Sequence, residues 1–255
     1  MIKNSLKKII HYPNYRLIKK IDLLRNKDVF ILGSAPNPDL SSYSKKKILV
    51  TCNGSAANAK KLNLSEPILT IVDNELLDKK IVKKKQSRKS IIKGELLKSL
   101  NLGSIISVQS NHSQGSDVSL LQAQYNNFYK ISKESRIEII DKVTKTNLLE
   151  RNMDGVISTG AFAFILSFFL GAKSVTFSGF RLYQNSETLE HFYKFNEKKK
   201  NIIIKNKNKI VPKAHSLADS IVVSILKLQG YKIYTNETDF LHLINNWGNY
   251  NFKNK

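Results

Sequence analysis

Three short apolar runs, each ending on a small polar cluster, restrict what this chain can fold into. Asp28-Val29-Phe30-Ile31-Leu32 runs into Gly33-Ser34-Ala35-Pro36-Asn37-Pro38. Lys47-Ile48-Leu49-Val50-Thr51-Cys52 runs into Asn53-Gly54-Ser55, and Pro67-Ile68-Leu69-Thr70-Ile71-Val72 into Asp73-Asn74. Uninterrupted apolar runs of this length read as strands buried on both faces, which is the condition of a parallel sheet. A helical stretch over 56–62 separates the second run from the third, and parallel neighbours need such a crossover. The expectation is an α/β fold: a Rossmann-like open, mainly parallel sheet flanked by helices, with its site at the carboxyl ends of the strands.

Further along, residues 79–100 are Lys-rich with weak periodicity, and a strand is expected at Ile105-Ile106-Ser107-Val108. Residues 109–155 are polar and hard to assign. The pattern sharpens at Ser158-Thr159-Gly160, which opens an apolar helix, Ala161 to Leu170, stopped by Gly171. Glycine is favoured just past a helix end because it takes the left-handed conformation without a Cβ clash. The strand Ser174-Val175-Thr176-Phe177 follows and ends in Ser178-Gly179. Residues 184–212 are long, polar and Lys/Asn-rich, which reads as a lid. The chain closes with a helix from His215-Ser216-Leu217-Ala218-Asp219 to Gln229, then Gly230 and a strand over Tyr231 to Tyr234. The expected division is a basic helical segment (1–27), an α/β domain (28–183), the lid (184–212) and the rest of the α/β domain (213–255).

The 255 residues carry 42 Lys and Arg against 20 Asp and Glu, a net +22. Such a charge attracts polyanions: nucleic acid, an anionic membrane or an anionic sugar nucleotide. Arg is scarce, which argues against base-specific DNA reading by the Arg fork. Residues 3–27 hold one acid, Asp22, and interleave Lys and Arg with Ile and Leu. This fits either an amphipathic helix on anionic lipid or an ordinary solvated helix. A single cysteine, Cys52, rules out an internal disulfide and a multi-Cys zinc framework. No signal-peptide pattern or membrane-length apolar stretch is present, so a cytoplasmic protein is expected.

The chain lacks a GxGxxG after its first strand, a GxxxxGK[ST] and a GxSxG, which argues against a standard dinucleotide site, a P-loop and the usual α/β-hydrolase. The Gly33-Ser34-Ala35 turn can offer backbone N–H groups to an anion, or can simply be a tight turn. Ser158-Thr159-Gly160 sits where hydroxyls and free helix N–H groups receive a phosphate, or where a Ser caps a helix. Ser216 and Asp219 have capping-box spacing. His215 then stands immediately before a helix, either as a loop histidine or as a general base.

In order, these pieces resemble the bacterial sialyltransferases of glycosyltransferase family 42, which use CMP-sialic acid. That family's first strand ends in a G-x-G-P-S-like turn, matched by Gly33-Ser34-Ala35-Pro36-Asn37. Its R-C-N is matched by Thr51-Cys52-Asn53, and its Tyr-Asn pair by Asp73-Asn74. Its T-T-G corresponds to Ser158-Thr159-Gly160, and its S-G-I-D-F-Y-Q-N to Ser178-Gly179-Phe180-Arg181-Leu182-Tyr183-Gln184-Asn185. Its G-H-S corresponds to Ala214-His215-Ser216. Three positions depart from the pattern. Arg181 stands for the acid, Pro212 for a tyrosine before the histidine, and Leu189 for a second tyrosine, leaving Tyr193 or His191 to serve.

The resemblance implies a GT-A-variant nucleotide-binding domain with a small lid, and an inverting transferase with no essential metal and no cofactor. By this likeness His215 deprotonates the acceptor and Tyr183 assists the leaving phosphate. Gly33, Ser34, Ala35, Asn53, Asn74, Ser158, Thr159, Gly160, Ser178, Gly179 and Phe180 would bind the donor. The implied partners are a CMP-linked nonulosonic acid and a glycan or glycolipid acceptor of lipopolysaccharide or capsule. Peripheral contact with an anionic membrane and self-association are compatible with it. The alternatives are a CMP-Kdo-dependent transferase of the same fold, a basic nucleic-acid-binding protein, and an inactive relative in an envelope complex.

Overall fold

Ten strands and seven helices account for most of the described residues. In this computed structural model those are 9–12, 15–83, 88–109, 115–146, 157–184, 211–212, 215–238 and 240–241. The strands are β1 (Ile9–Tyr12), β2 (Asp28–Leu32), β3 (Ile48–Cys52), β4 (Leu69–Asp73), β5 (Ser104–Val108), β6 (Phe128–Ile131), β7 (Ser174–Ser178), β8 (Tyr183–Gln184), β9 (Val211–Pro212) and β10 (Ile233–Thr235). The helices are α1 (Tyr15–Ile18), α2 (Ser55–Lys61), α3 (Lys79–Lys83), α4 (Arg88–Leu97), α5 (Lys133–Thr144), α6 (Thr159–Phe169) and α7 (Ser216–Leu228). Short 3-10 turns lie at Asn74–Leu77 and Val118–Leu121.

Eight strands form one sheet in the order β1-β6-β5-β4-β3-β2-β7-β10. Every pairing in it is parallel. The side chains show why. In β2, Val29 and Ile31 point to one core, and Phe30 and Leu32 to another. In β5, Ile106 and Val108 face the first core while Ile105 faces the opposite side. Strands that are apolar on both faces need cover on both faces, and the crossover helices supply it. One layer holds α1, α5, α6 and α7, and the other holds α2, α4 and the two 3-10 turns.

Helix α6 is the centre of the first layer. Every residue from Gly160 to Phe169 is buried. An all-apolar helix has no face to give to water, so it sits between β-sheet and neighbouring helices. Its end is a Schellman closure. Gly171, at φ +86°, donates its N–H to the Phe168 carbonyl at 2.9 Å, and Ala172 donates to Ser167 at 3.0 Å.

Two expectations need correction. Within the N-terminal segment the described residues form an edge strand, β1, and the single turn α1, not one continuous helix. Ile18, Ile21 and Leu24 are in the main core. Burying them there and pairing β1 with β6 removes the apolar stripe that a lipid-lying helix would need. The polar stretch 109–155 contains β6 and α5. Polar residues hid them, although Ser132 does cap α5 by accepting from the Ser135 N–H at 3.2 Å. The spacing of Arg136, Ile139, Ile140 and Val143, all buried, is that of a helix face.

Candidate active site at the carboxyl edge

Because the sheet is wholly parallel, the carboxyl ends of all its strands share one edge. The chain builds outward from β2 through β3, β4 and β5 to β6, then returns to β7 and β10 on the other side of β2. The order therefore reverses between β2 and β7, and ligands of open α/β sheets bind outside such a reversal.

At that point the two strand-end loops are laced together. Gly33 donates its N–H to the Ser178 carbonyl and Ala35 donates to the Gly179 carbonyl, both at 2.8 Å. A Cβ on Gly33 would lie 2.2 Å from the Gly179 oxygen, so only glycine permits this approach. Gly179 is left-handed, at φ +78°. This corrects the anion-turn expectation for Gly33 and Ala35. Their N–H groups are used inside the protein, and Ala35 is buried. Ser34 remains partly exposed on the turn.

The second wall is the start of α6. Ser158 caps the helix, its Oγ accepting from the Ala161 N–H at 3.0 Å. Its own N–H donates to Asp219 Oδ1 on α7, also at 3.0 Å. Within the described residues the N–H groups of Thr159 and Gly160 make no hydrogen bond, as expected of a helix's first turn. A Cβ on Gly160 would lie 2.2 Å from the Phe180 ring. Phe180 also packs edge-on against Phe164 and Phe177, with centroids 5.1 and 5.6 Å away. It is thus a half-buried hinge between the loop after β7 and the start of α6.

Asp219 explains the S-x-x-D spacing differently from a capping box. His215, not Ser216, is the N-cap of α7, and it makes no side-chain cap bond. Asp219 sits one turn inside, and its carboxylate reaches across to Ser158. His215 is exposed. Its position relative to Tyr183 follows from the β8–β9 pairing, in which Tyr183 and Pro212 are register partners. His215 is three residue steps beyond Pro212, at most about 11 Å of extended chain. The two ends of the 184–212 segment therefore meet each other. Residues 185–210, with His191 and Tyr193, lie outside the described residues.

Asn53 and Asn74 divide. Asn53 is left-handed at φ +51°, and its Oδ1 accepts from the Asp73 N–H at 2.8 Å, bracing the ends of β3 and β4. It stays partly exposed on the rim. Asn74 has no exposed surface and lies beneath the rim rather than on it, which corrects its expected contact with a donor. Cys52, between β3 and Asn53, is buried, and burial pushes its thiol up to about 12. It is packing, not a nucleophile.

Glu237, just past β10, escaped the sequence reading. It is buried, and it accepts from Ser178 Oγ at 2.8 Å, from the Gly179 N–H and from the Arg181 guanidinium. No motif marks it, because its partners lie some fifty-six to fifty-nine residues upstream. Among the described residues, no cluster of three His, Cys, Asp or Glu stands close enough to hold a metal ion. No helix among them is long and apolar enough to cross a membrane. A concavity of about 420 Å³ opens at the opposite, amino edge, bordered by Lys60, Glu66, Asn101 and Gln124. It shares no residue with the switch point.

The chain is similar to solved sialyltransferases of Campylobacter jejuni. The monofunctional alpha-2,3-sialyltransferase Cst-I matches at 15% identity and a TM-score of 0.47, over 82% of this chain and 75% of that one. CstII in complex with cytidine-5'-monophosphate matches at 17% and 0.46, over 83% and 80%. CstII with CMP-3FNeuAc matches at 15% and 0.47, over 82% and 81%. No protein-family model and no curated protein matches the chain.

Proposed function

We propose that this protein is an inverting glycosyltransferase that moves sialic acid or a related nonulosonic acid from a CMP-sugar to a glycan acceptor. What supports the reading is the meeting of its ordered motifs at one switch point. Ser158–Gly160, Ser178–Phe180, Asn53 and the His215 cap come from four distant parts of the chain. The Ser158–Asp219 bond joins two of them directly.

In this reading the acceptor oxygen attacks the anomeric carbon while the bond to the CMP phosphate oxygen breaks. The electron pair leaves with the phosphate, and the hydroxyl proton passes to the His215 imidazole. General-base help of this kind contributes about 10²–10⁴-fold. The N–H groups of Thr159 and Gly160 and the Tyr183 hydroxyl receive the charge that grows on the phosphate. Fixed donors stabilise such charge without reorganising. No step calls on a metal.

The test is a transfer assay on a panel of CMP-linked nonulosonic acids, with CMP binding followed by calorimetry. His215→Ala is expected to lose about 10²-fold or more in transfer while still binding CMP. Unchanged transfer removes His215 as the base. A wild-type protein that binds no CMP removes the whole reading. Release from CMP-Kdo alone selects the Kdo transferase.

A contact with anionic lipid at the inner face of the cytoplasmic membrane belongs to the same proposal, but not through an N-terminal helix. Its support is the amino edge of the sheet. Lys27, Lys173 and Lys232 are exposed and directly precede the adjacent strands β2, β7 and β10. Neighbouring strands lie about 4.8 Å apart, so the three ammonium groups crowd one edge. Sedimentation with phosphatidylserine vesicles checks it. Lys27→Glu/Lys173→Glu/Lys232→Glu should abolish binding, and equal binding by wild type and variant refutes it.

A further inference from the structure

The loops on either side of the switch point are joined by a charged clasp that the proposed chemistry does not use. Glu237, with its side chain 1% exposed, holds Ser178 Oγ, the Gly179 N–H and the Arg181 guanidinium. Arg181 is 23% exposed, and its other terminal nitrogen reaches the Asn37 carbonyl, in the loop after β2, at 3.3 Å. The next residue back from Glu237 makes a parallel link, with Asn236 Nδ2 donating to Ser41 Oγ at 2.8 Å. The strand-end segments of β2, β7 and β10 are therefore tied together by one carboxylate and one guanidinium.

A buried carboxylate is costly unless its lone pairs are filled by donors and a cation. Glu237 meets both conditions, and its donors are the last residue of β7 and two residues of the loop that follows. Satisfying the carboxylate thus fixes the backbone at Gly179. Through Gly179 it fixes the Ala35 N–H that donates to the Gly179 carbonyl, and through Phe180 the contact with Gly160. The planar fork of Arg181 holds Glu237 and Asn37 from two separate nitrogens, a fixed geometry that the single ammonium of a lysine does not reproduce.

We infer that Glu237 and Arg181 are a positioning pair that holds the loop after β7 against the loop after β2 at the proposed nucleotide site. The inference rests on the CMP-sugar reading for its ligand, but its structural half does not. Two measurements separate them on Arg181→Met, Arg181→Lys, Glu237→Gln and the neutral Arg181→Met/Glu237→Gln double variant. The first is CMP binding by calorimetry. The second is hydrogen exchange at the Ala35 and Gly179 amides, without ligand.

Arg181→Met is expected to weaken CMP binding about tenfold or more, the scale of one charge-assisted hydrogen bond. It should also speed exchange at Ala35, although Arg181 makes no bond to that residue. Arg181→Lys should recover thermal stability but not CMP affinity. The double variant should bind CMP no worse than the weaker single variant, because the two residues act as a unit. CMP affinity and Ala35 exchange like wild type in a folded Arg181→Met protein would overturn the inference and reduce the pair to packing. A wild type that does not bind CMP overturns the nucleotide reading instead, while the Ala35 exchange still decides whether the pair holds the two loops together.

Discussion

The backbone N–H of Ser158 donates to Asp219 Oδ1 at 3.0 Å, so the first turn of one helix is held by a carboxylate from the first turn of another. The bond holds the two helix N-termini together. It also ties the first turn of α7, which His215 caps, to the start of α6. Asp219→Ala should therefore cost about 1–3 kcal/mol, the range for an orphaned buried donor. Asp219→Asn keeps an acceptor and should cost less. Urea unfolding of both measures the difference, and turnover should fall along with stability for Asp219→Ala.

The Gly33 and Gly160 contacts predict two unequal alanine variants. At Gly33 the added Cβ meets backbone, which cannot turn aside. At Gly160 it meets only the Phe180 ring. Gly33→Ala should cost at least about 1–3 kcal/mol, as over-packing does. Gly160→Ala should be partly rescued by Phe180→Leu. Gly94, in α4 with open space around it, is the control. Gly94→Ala should stabilise by about 0.5–1 kcal/mol. Thermal melts rank all three.

Tyr183→Phe should lower turnover more than donor affinity if its hydroxyl helps the leaving phosphate. Single-turnover kinetics beside calorimetric CMP binding separates the two effects. A loss of affinity alone would take Tyr183 out of the leaving-group role.

Asp28 begins β2 and accepts a hydrogen bond from Ser174 Oγ at 2.6 Å. That bond, and to a smaller degree Lys173, Lys47 and Lys232, hold its carboxyl below the ordinary 3.8 against opposing desolvation. A carboxylate depressed in the folded state contributes stability above its unfolded pKa, and loses it as pH falls through the folded value. Asp28→Asn should thus flatten the fall in stability below about pH 4 while leaving the curve at pH 7–8 nearly parallel to wild type. Unfolding curves at several pH values check this, and an unchanged acid limb would exclude Asp28 from it.

Local chemistry alone determined a good deal of this molecule. The runs at 28–32 and 48–52, the buried helix after Ser158 and the glycine stops at 171 and 230 were legible because burial on both faces and left-handed caps leave their mark within a few residues. The strand ends that carry Asn53 and Gly179 and the helix starts at Ser158 and His215 were legible for the same reason. Tertiary structure alone decided what those residues touch. Ser34 keeps its place on the rim while Gly33 and Ala35 spend their N–H groups on β7. Asn74 sinks under the edge, and Asp219 reaches across to α6. Glu237 and Arg181 meet across fifty-six residues of sequence. The N-terminal stripe of Ile and Leu looked amphipathic, and only the presence of β6 and α5 gave it a core to enter. Side-chain and backbone polar groups satisfy one another through space, and such pairings have no period along a chain.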